Sequence, residues 1–337
     1  LSRSCVSIKD IAKNADVSHS TVSRALHNSP LIALETRQRI QRIAREMGYT
    51  PSAIARSLVT RRTHTIGLVV TTISDPFISE VVRGVEETAL NNDYSVILCN
   101  CNAEPERELA SVRALQEKRV DAIIVTASRV GSLYVPRLEK LNIPIVLINN
   151  QQAGRYLHSV STDNFVGGRL AGEYLLSLGH RRIAYLGIVP DAYASVERLE
   201  GCRAVLQEHG LDIHDDWLLS ANGRADGGQA GVARLLRCAT RPTAIFCYND
   251  VTAIGALQAL KAAGLRVPGD ISLIGYDDIA FTVFIDPPLT TIAQPKYTLG
   301  QRAMELTLAL LNGQEEAGDI VLVPHLIERA SCAPPRS

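Results

Sequence analysis

From residue 65 onward the chain alternates between two kinds of segment. Short unbroken apolar runs are followed by longer stretches with apolar residues at helical spacing. The runs fall at 66–70, 96–98, 122–125, 145–148, 183–186, 244–247 and 271–274. The helical stretches include 78–90, 106–117, 166–178, 199–208, 251–263 and 299–311. A strand without polar alternation is one buried on both faces. Such strands, separated by amphipathic helices, build parallel sheets with helices on either side. About 270 residues are too many for one sheet of this kind. The pattern predicts an α/β body of two doubly wound lobes. Ligands of such sheets bind beyond the carboxyl ends of the strands.

The first 62 residues are of a different character. They carry eleven Lys and Arg against four Asp and Glu, a net +7, while the other 275 residues carry −7. The overall charge of zero is therefore a basic head offset by an acidic body, and the head asks for a polyanionic partner. A solvated basic tail would show no apolar periodicity, and this segment does. Ser7 suits the N-cap of a helix whose Ile8, Ile11, Ala12 and Ala15 share one face. Asp16 tolerates the left-handed turn that must follow. Ser18 opens a second helix over 19–26, with Val22, Ala25 and Leu26 inward. A third, over 35–47, buries Ile40, Ile43, Ala44 and Met47 and stops at Gly48. Two short helices joined by a tight turn make a helix-turn-helix. The outer side of the second carries His19, Ser20, Ser23 and Arg24, which can all hydrogen-bond and include no acid.

Other functions find little support. No apolar run reaches the roughly 18 residues of a membrane span, and the first residues lack the apolar core of a signal peptide. The seven cysteines are scattered, and Cys99 and Cys101 have no second pair to complete a metal site. Reduced thiols in a cytoplasmic protein, with no metal and no cofactor, are the expectation. There is no Gly-x-Ser-x-Gly elbow, phosphate-binding loop or His-Glu-x-x-His. The segment 223–228 shares only its glycines with a dinucleotide loop and follows no convincing strand. The chain is expected not to be an enzyme.

Residues 8–12 (Ile-Lys-Asp-Ile-Ala), 17–26 (Val-Ser-His-Ser-Thr-Val-Ser-Arg-Ala-Leu), 35–37 (Glu-Thr-Arg), 48–51 (Gly-Tyr-Thr-Pro) and 53–58 (Ala-Ile-Ala-Arg-Ser-Leu) resemble the lactose-repressor/galactose-repressor family of bacterial transcription factors. The resemblance continues through 65–70 (Thr-Ile-Gly-Leu-Val-Val), 74–77 (Ser-Asp-Pro-Phe), 275–278 (Gly-Tyr-Asp-Asp) and 288–292 (Pro-Leu-Thr-Thr-Ile), and so spans nearly the whole chain. It implies a homodimer on a near-palindromic operator, with the second helix in the major groove. His19 and Ser20 would then choose bases and Arg24 would be a third reader, since Arg can bond guanine bidentately. Ser7, Ser18, Thr21, Ser23 and His27 would contact phosphate. The segment from Pro51 to Leu58 resembles the family's hinge helix, too short to be stable alone in water. Leu58, beside Ala55, would wedge into the minor groove and kink the duplex. Two departures stand out. His27-Asn28 replaces the family's Asn-Gly, and Ala33 replaces a Ser that would cap the third helix.

The resemblance implies periplasmic-binding-protein-type lobes joined by crossovers near 160–163, 289–293 and 319–323. The expected division is a DNA-binding domain over 1–50, a hinge over 51–64 and an effector-binding and dimerisation domain over 65–337. Lobe 1 would hold about 65–160 and 292–320, and lobe 2 about 161–291 and 321–330. The expected strand ends offer Asp75 and Phe77, Asn149, Asn249 and Asp277; Arg198 begins a helix and Gln294 follows a crossover strand. These positions match the family's effector-contacting ones. Carboxylates and amides suit vicinal hydroxyls, Arg198 can donate bidentately, and Phe77 can cover the apolar face of a sugar ring. A purine fits less well, with one aromatic at the expected stacking position. A sugar inducer that releases the operator is expected, the alternatives being a purine or sugar-phosphate co-repressor and a sugar-binding protein without a DNA role. The segment after Pro324 lacks leucine heptads, so no tetramerising coiled coil is expected.

Overall fold

The computed structural model describes residues 6–26, 28–49, 62–128, 143–150, 158–188, 192–314 and 319–336. The expectations placed on His27, Ala55 and Leu58 lie outside these residues. The chain forms two compact units, one up to Thr63 and the other from His64 onward.

The first unit contains α1 (Ile8–Ala15), α2 (His19–Leu26) and α3 (Leu34–Glu46). Ser7 and Asp10 form a reciprocal capping box at the start of α1, and Asp16 ends that helix in the left-handed region at φ 50°. Ser18 Oγ accepts from the Thr21 amide at 3.1 Å and so caps α2. Ala33 caps nothing with its side chain. The core is small: Ile11, Ala12, Ala15, Val22, Ala25, Ile40 and Ala44. Polar side chains of α3 supplement it by covering the carboxyl ends of the other two helices. Arg39 donates to the Ala15 carbonyl at 3.0 Å, and Gln41 to the Ala25 carbonyl at 3.1 Å.

The second unit contains two six-stranded sheets. The first has the order β11-β5-β4-β3-β1-β2 and is parallel throughout. Its strands are β1 (Thr65–Val70), β2 (Ser95–Asn100), β3 (Ala122–Thr126), β4 (Ile145–Ile148), β5 (Ser159–Thr162) and β11 (Ile320–Leu322). The second has the order β12-β10-β9-β8-β6-β7: β6 (Ile183–Gly187), β7 (Leu218–Ser220), β8 (Ala244–Cys247), β9 (Ser272–Asp277), β10 (Thr290–Ala293) and β12 (His325–Ile327). Here β12 runs antiparallel to β10, a departure from the all-parallel reading. The seven apolar runs in the sequence are all strands.

The helices of this unit are α4 (Pro76–Leu90), α5 (Pro105–Glu117), α6 (Asn164–Ser177), α7 (Tyr193–Glu208), α8 (Ala225–Leu235), α9 (Asp250–Ala262) and α10 (Lys296–Leu311). Two sequence readings need correction. The 223–228 segment does follow a strand, the short β7, and leads into α8. And α7 begins six residues earlier than expected, so Arg198 sits in its second turn rather than at its start.

Three helix pairs share one packing device. In α4 against α10, α6 against α7, and α8 against α9, each helix brings a glycine to a backbone carbonyl of its partner. A Cβ on Gly84 would overlap the Tyr297 carbonyl, and one on Gly300 the Val81 carbonyl. Gly168 meets the Arg198 carbonyl and Gly201 that of Phe165; Gly228 meets Thr252 and Gly255 meets Ala225 in the same way. The three crossings bring backbone against backbone. Gly228, from the supposed dinucleotide loop, serves this purpose.

Candidate functional site

In the first unit, His19, Ser20 and Arg24 are exposed on α2, while Val22 and Ala25 on the opposite side are buried. Ser23 is half-buried. Ser7 and Ser18, expected to meet phosphate, also serve as helix caps. Ser18 Oγ lies 2.7 Å from Ser20 Oγ and 2.8 Å from Thr21 Oγ1, so three hydroxyls cluster at the start of the helix. The amino end of a helix with no acid in its first turn suits an anion.

In the second unit, a cleft of about 710 Å³ is lined by all seven candidates: Asp75, Phe77, Asn149, Arg198, Asn249, Asp277 and Gln294. Each reaches it for a local reason. Asp75 is the N-cap of α4, accepting from the Phe77 amide at 2.9 Å, with Pro76 at the next position. Asn249 caps α9 through the Thr252 amide at 2.9 Å, and its amide nitrogen donates to the Gly223 carbonyl at 3.0 Å. Asn149 is left-handed, φ 45°, just beyond β4; its Oδ1 accepts from the Thr162 amide and its Nδ2 donates to Gln294 Oε1 at 3.3 Å. Gln294 in turn donates to Asp277 Oδ1 at 2.6 Å. Asn149, Gln294 and Asp277 therefore form a hydrogen-bonded chain in the lining of the cleft, and Asn249 is braced separately by the backbone.

Arg198 and Asp277 are the buried charges of the site, 4% and 7% exposed. The guanidinium lies 3.5 Å from the Tyr276 ring centroid and 4.7 Å from that of Tyr248. Its Nε donates to Asn164 Oδ1 at 3.0 Å and its Nη1 to the Tyr248 carbonyl at 2.6 Å. Burial pushes the Asp277 carboxyl up to about 7, against the opposing pull of Arg198. Burial likewise raises Asp75 above the usual carboxylate range. Asp75 is bonded to backbone amides at the start of α4, and Asp277 Oδ1 to Gln294.

The sequence reading missed two lining aromatics, Tyr248 and Phe281, so Phe77 has company and the argument against a purine loses its premise. Phe281 lies on a short 3-10 turn, Ala280–Val283, which no apolar periodicity marks. The described cysteines are free thiols; burial holds Cys202 and Cys247 well above the ordinary thiol range. Among the described residues there is no cluster of three His, Cys, Asp or Glu that could hold a metal, and no helix long and apolar enough to cross a membrane.

Comparison with known proteins covers both units. The model of bacterial regulatory proteins of the lacI family matches residues 7–52, and that of periplasmic binding proteins and the sugar binding domain of the LacI family matches residues 63–330. The HTH-type transcriptional repressor PurR of Proteus mirabilis is 36% identical over 332 residues, covering 97% of this chain and 96% of that protein. The ribose operon repressor of Haemophilus influenzae is 36% identical over 326 residues, covering 96% and 98%. The lac repressor dimer bound to operator and the anti-inducer ONPF superposes with a TM-score of 0.89 at 27% identity, covering 98% of this chain and 99% of that one. A LacI family regulator from Enterococcus faecium with bound ribose gives a TM-score of 0.73 at 33% identity, covering 81% of this chain and 100% of that one.

Proposed function

From the premise that this chain belongs to the LacI family of bacterial regulatory proteins, we propose a specific version of that family's task. The protein is a ligand-responsive transcriptional repressor and not an enzyme; it binds operator DNA as a dimer and takes a small-molecule effector. Our proposal concerns the effector, its sign and the residues involved. The effector is a neutral sugar acting as inducer on a repressor of carbohydrate-utilisation genes in the cytoplasm. Asp75, Phe77, Asn149, Arg198, Asn249, Asp277 and Gln294 form its site. On the DNA side, His19, Ser20 and Arg24 read bases, Ser7, Ser18, Thr21, Ser23 and His27 position phosphates, and the hinge residues Ala55 and Leu58 enter the minor groove.

The observation that carries the sugar reading is the pairing of two carboxylates, Asp75 and Asp277, with the buried Arg198 in one cleft. The carboxamides are largely spent on one another and on the backbone. Beside them a ligand would meet the Asp75 and Asp277 carboxylates, the buried Arg198 guanidinium and the exposed Asn222 and Arg224. Vicinal hydroxyls both donate and accept, and so can satisfy acids and guanidinium together. A phosphate would face the same two carboxylates, although Arg198 and Arg224 also line the cleft. The three aromatics give a sugar's apolar face its cover, yet they also favour a second reading, a purine co-repressor, which the similarity to PurR supports. In either case ligand binding would act by shifting the relation of the lobes, and couplings of about 1–3 kcal/mol are usual for such linkage.

A thermal-shift screen of the full chain with D-ribose, hexoses, ribose 5-phosphate and hypoxanthine tests the choice. A ligand at one hundred times its Kd stabilises by about 2.7 kcal/mol. Stabilisation by a neutral sugar, together with weaker operator binding in its presence, is the expected result. Stabilisation by hypoxanthine alone, with tighter operator binding, replaces the sugar inducer with the co-repressor.

A further inference from the structure

The loop that aims Asp277 into the cleft adopts an unusual conformation. Asp277 and Asp278 are consecutive non-glycine residues with positive φ, 112° and 55°. Such backbone persists only where the surroundings fix it. Three of the restraints come from the same lobe. Asp250, fully buried, accepts from the Ile279 amide at 2.9 Å and from Thr291 Oγ1 at 2.6 Å. Arg329 holds the Asp278 carboxylate at 2.6 Å. Gln294, just past β10, donates to Asp277 Oδ1.

The fourth restraint is of a different kind. Lys296 Nζ donates to the Asp277 carbonyl at 2.6 Å and to the Asp278 carbonyl at 2.7 Å. Lys296 is the first residue of α10, which packs on β3, β4 and β5 of the other sheet and crosses α4. The crossed helix, α4, is the one capped by Asp75 across the cleft. The lysine is also electrostatically misplaced for helix stability: a cation at a helix amino end opposes the macrodipole, and α10 has no side-chain cap to compensate. Its two charge-assisted bonds to the loop supply what the helix does not.

We propose that Lys296 is the positioning residue of the effector site. It holds the left-handed pair so that the outward Asp277 oxygen faces the ligand, and it ties that oxygen to the first turn of α10 in the opposite lobe. It acts through Asp277 and need not touch the ligand. Its contribution to ligand binding rests on the sugar reading above; its hold on the loop does not.

The test uses the full-length dimer with K296M, K296Q and K296R. Hydrogen exchange without ligand comes first. Removing the ammonium should speed exchange at the amides of residues 278–284 by about tenfold or more while β8 and α9 keep wild-type rates, and K296R, which retains a cationic donor, should remain within about threefold of wild type. Unchanged exchange in the loop overturns the proposal. Acceleration spread over the whole body also overturns it, because the lysine would then be a general support. K296Q gives the same reading if K296M does not fold. Calorimetry with D-ribose comes second: the Met variant should bind about tenfold or more weakly and the Arg variant close to wild type, whereas undiminished affinity in K296M refutes the positioning role. A wild-type protein that binds no D-ribose counts against the sugar reading, and the exchange data alone then decide the role of Lys296.

Discussion

The two arginines assigned to recognition, Arg24 and Arg198, occupy opposite environments. Arg24 stands exposed on a helix of eight residues, over a core built largely of alanine and short aliphatic side chains. Arg198 is 4% exposed, bonded through two of its nitrogens and set against two tyrosine rings. The difference follows from the ligands. DNA is large and brings its own order, so a reader needs reach and can keep its side-chain entropy until contact. A small effector offers few contacts, and the protein must hold its groups in place beforehand. The head can therefore be small and lightly braced, whereas the cleft is cross-linked by hydrogen bonds.

This contrast can be broken most severely at Arg198. R198A removes the bonds to Asn164 Oδ1 and the Tyr248 carbonyl together with the buried cation of the cleft. Effector affinity should fall at least a hundredfold in calorimetry, with operator binding retained in gel shift; a normal response removes Arg198 from the site. Next in size is a helix crossing. G255A forces a methyl group against the Ala225 carbonyl, and overpacking of this kind costs about 1–3 kcal/mol. A thermal melt should show the body destabilised. An unchanged melting temperature would mean that the helices can separate freely.

R24A sharpens the contrast from the other side. The operator should lose about 1–3 kcal/mol of preference over random DNA, as for one bidentate base contact, while the salt dependence of nonspecific binding changes little. Equal loss on both DNAs would make Arg24 a phosphate contact. A subtler effect comes from Asp277. Hydroxyls donating to it favour the ionised form, so effector affinity should rise about tenfold between pH 6 and 8, through the carboxyl's value of about 7. Without ligand the sign reverses. A carboxyl raised above its unfolded value favours folding when protonated, so its contribution is full below pH 4 and is lost as pH rises through 7. A flat affinity profile would show that Asp277 does not receive a hydroxyl. The smallest effect belongs to the head: A33S supplies the missing cap of α3 and should add about 1 kcal/mol at most.

Much of this arrangement was legible in the sequence, and the rest failed for physical reasons. Apolar runs of four or five residues announce strands because burial on both faces leaves no other composition, whereas the three-residue run 96–98 belongs to the edge strand β2, none of whose residues is buried. The strands β7, β11 and β12 have three residues each, with partly exposed side chains, and carry no such signature. Asp75-Pro76 is a strong start signal, and α4 begins there. The start of α7 was misread because its cap, Ala192, makes no side-chain bond. The seven cleft residues could be named from strand ends and resemblance. Lys296 could not, because its partners are 18 and 19 residues away and only the turn of the chain brings them together. The paired glycines were invisible for a related reason: a glycine in a helix reads as a weakness until its partner's carbonyl is seen against it.

Those glycine crossings also bear on how such a molecule can move. Side chains between two helices act as a cushion that can shear, rotate and repack. Where backbone meets backbone there is no cushion, so each crossed pair behaves as a single thick plank, and interiors packed this tightly switch between discrete arrangements instead of deforming gradually. Compliance is then left to the crossovers, while the loop that Lys296 holds would pass on the pull of a ligand. A ligand of a few ångströms acting there would find little elastic material to absorb its pull, and most of its work would reach the far end of the plank.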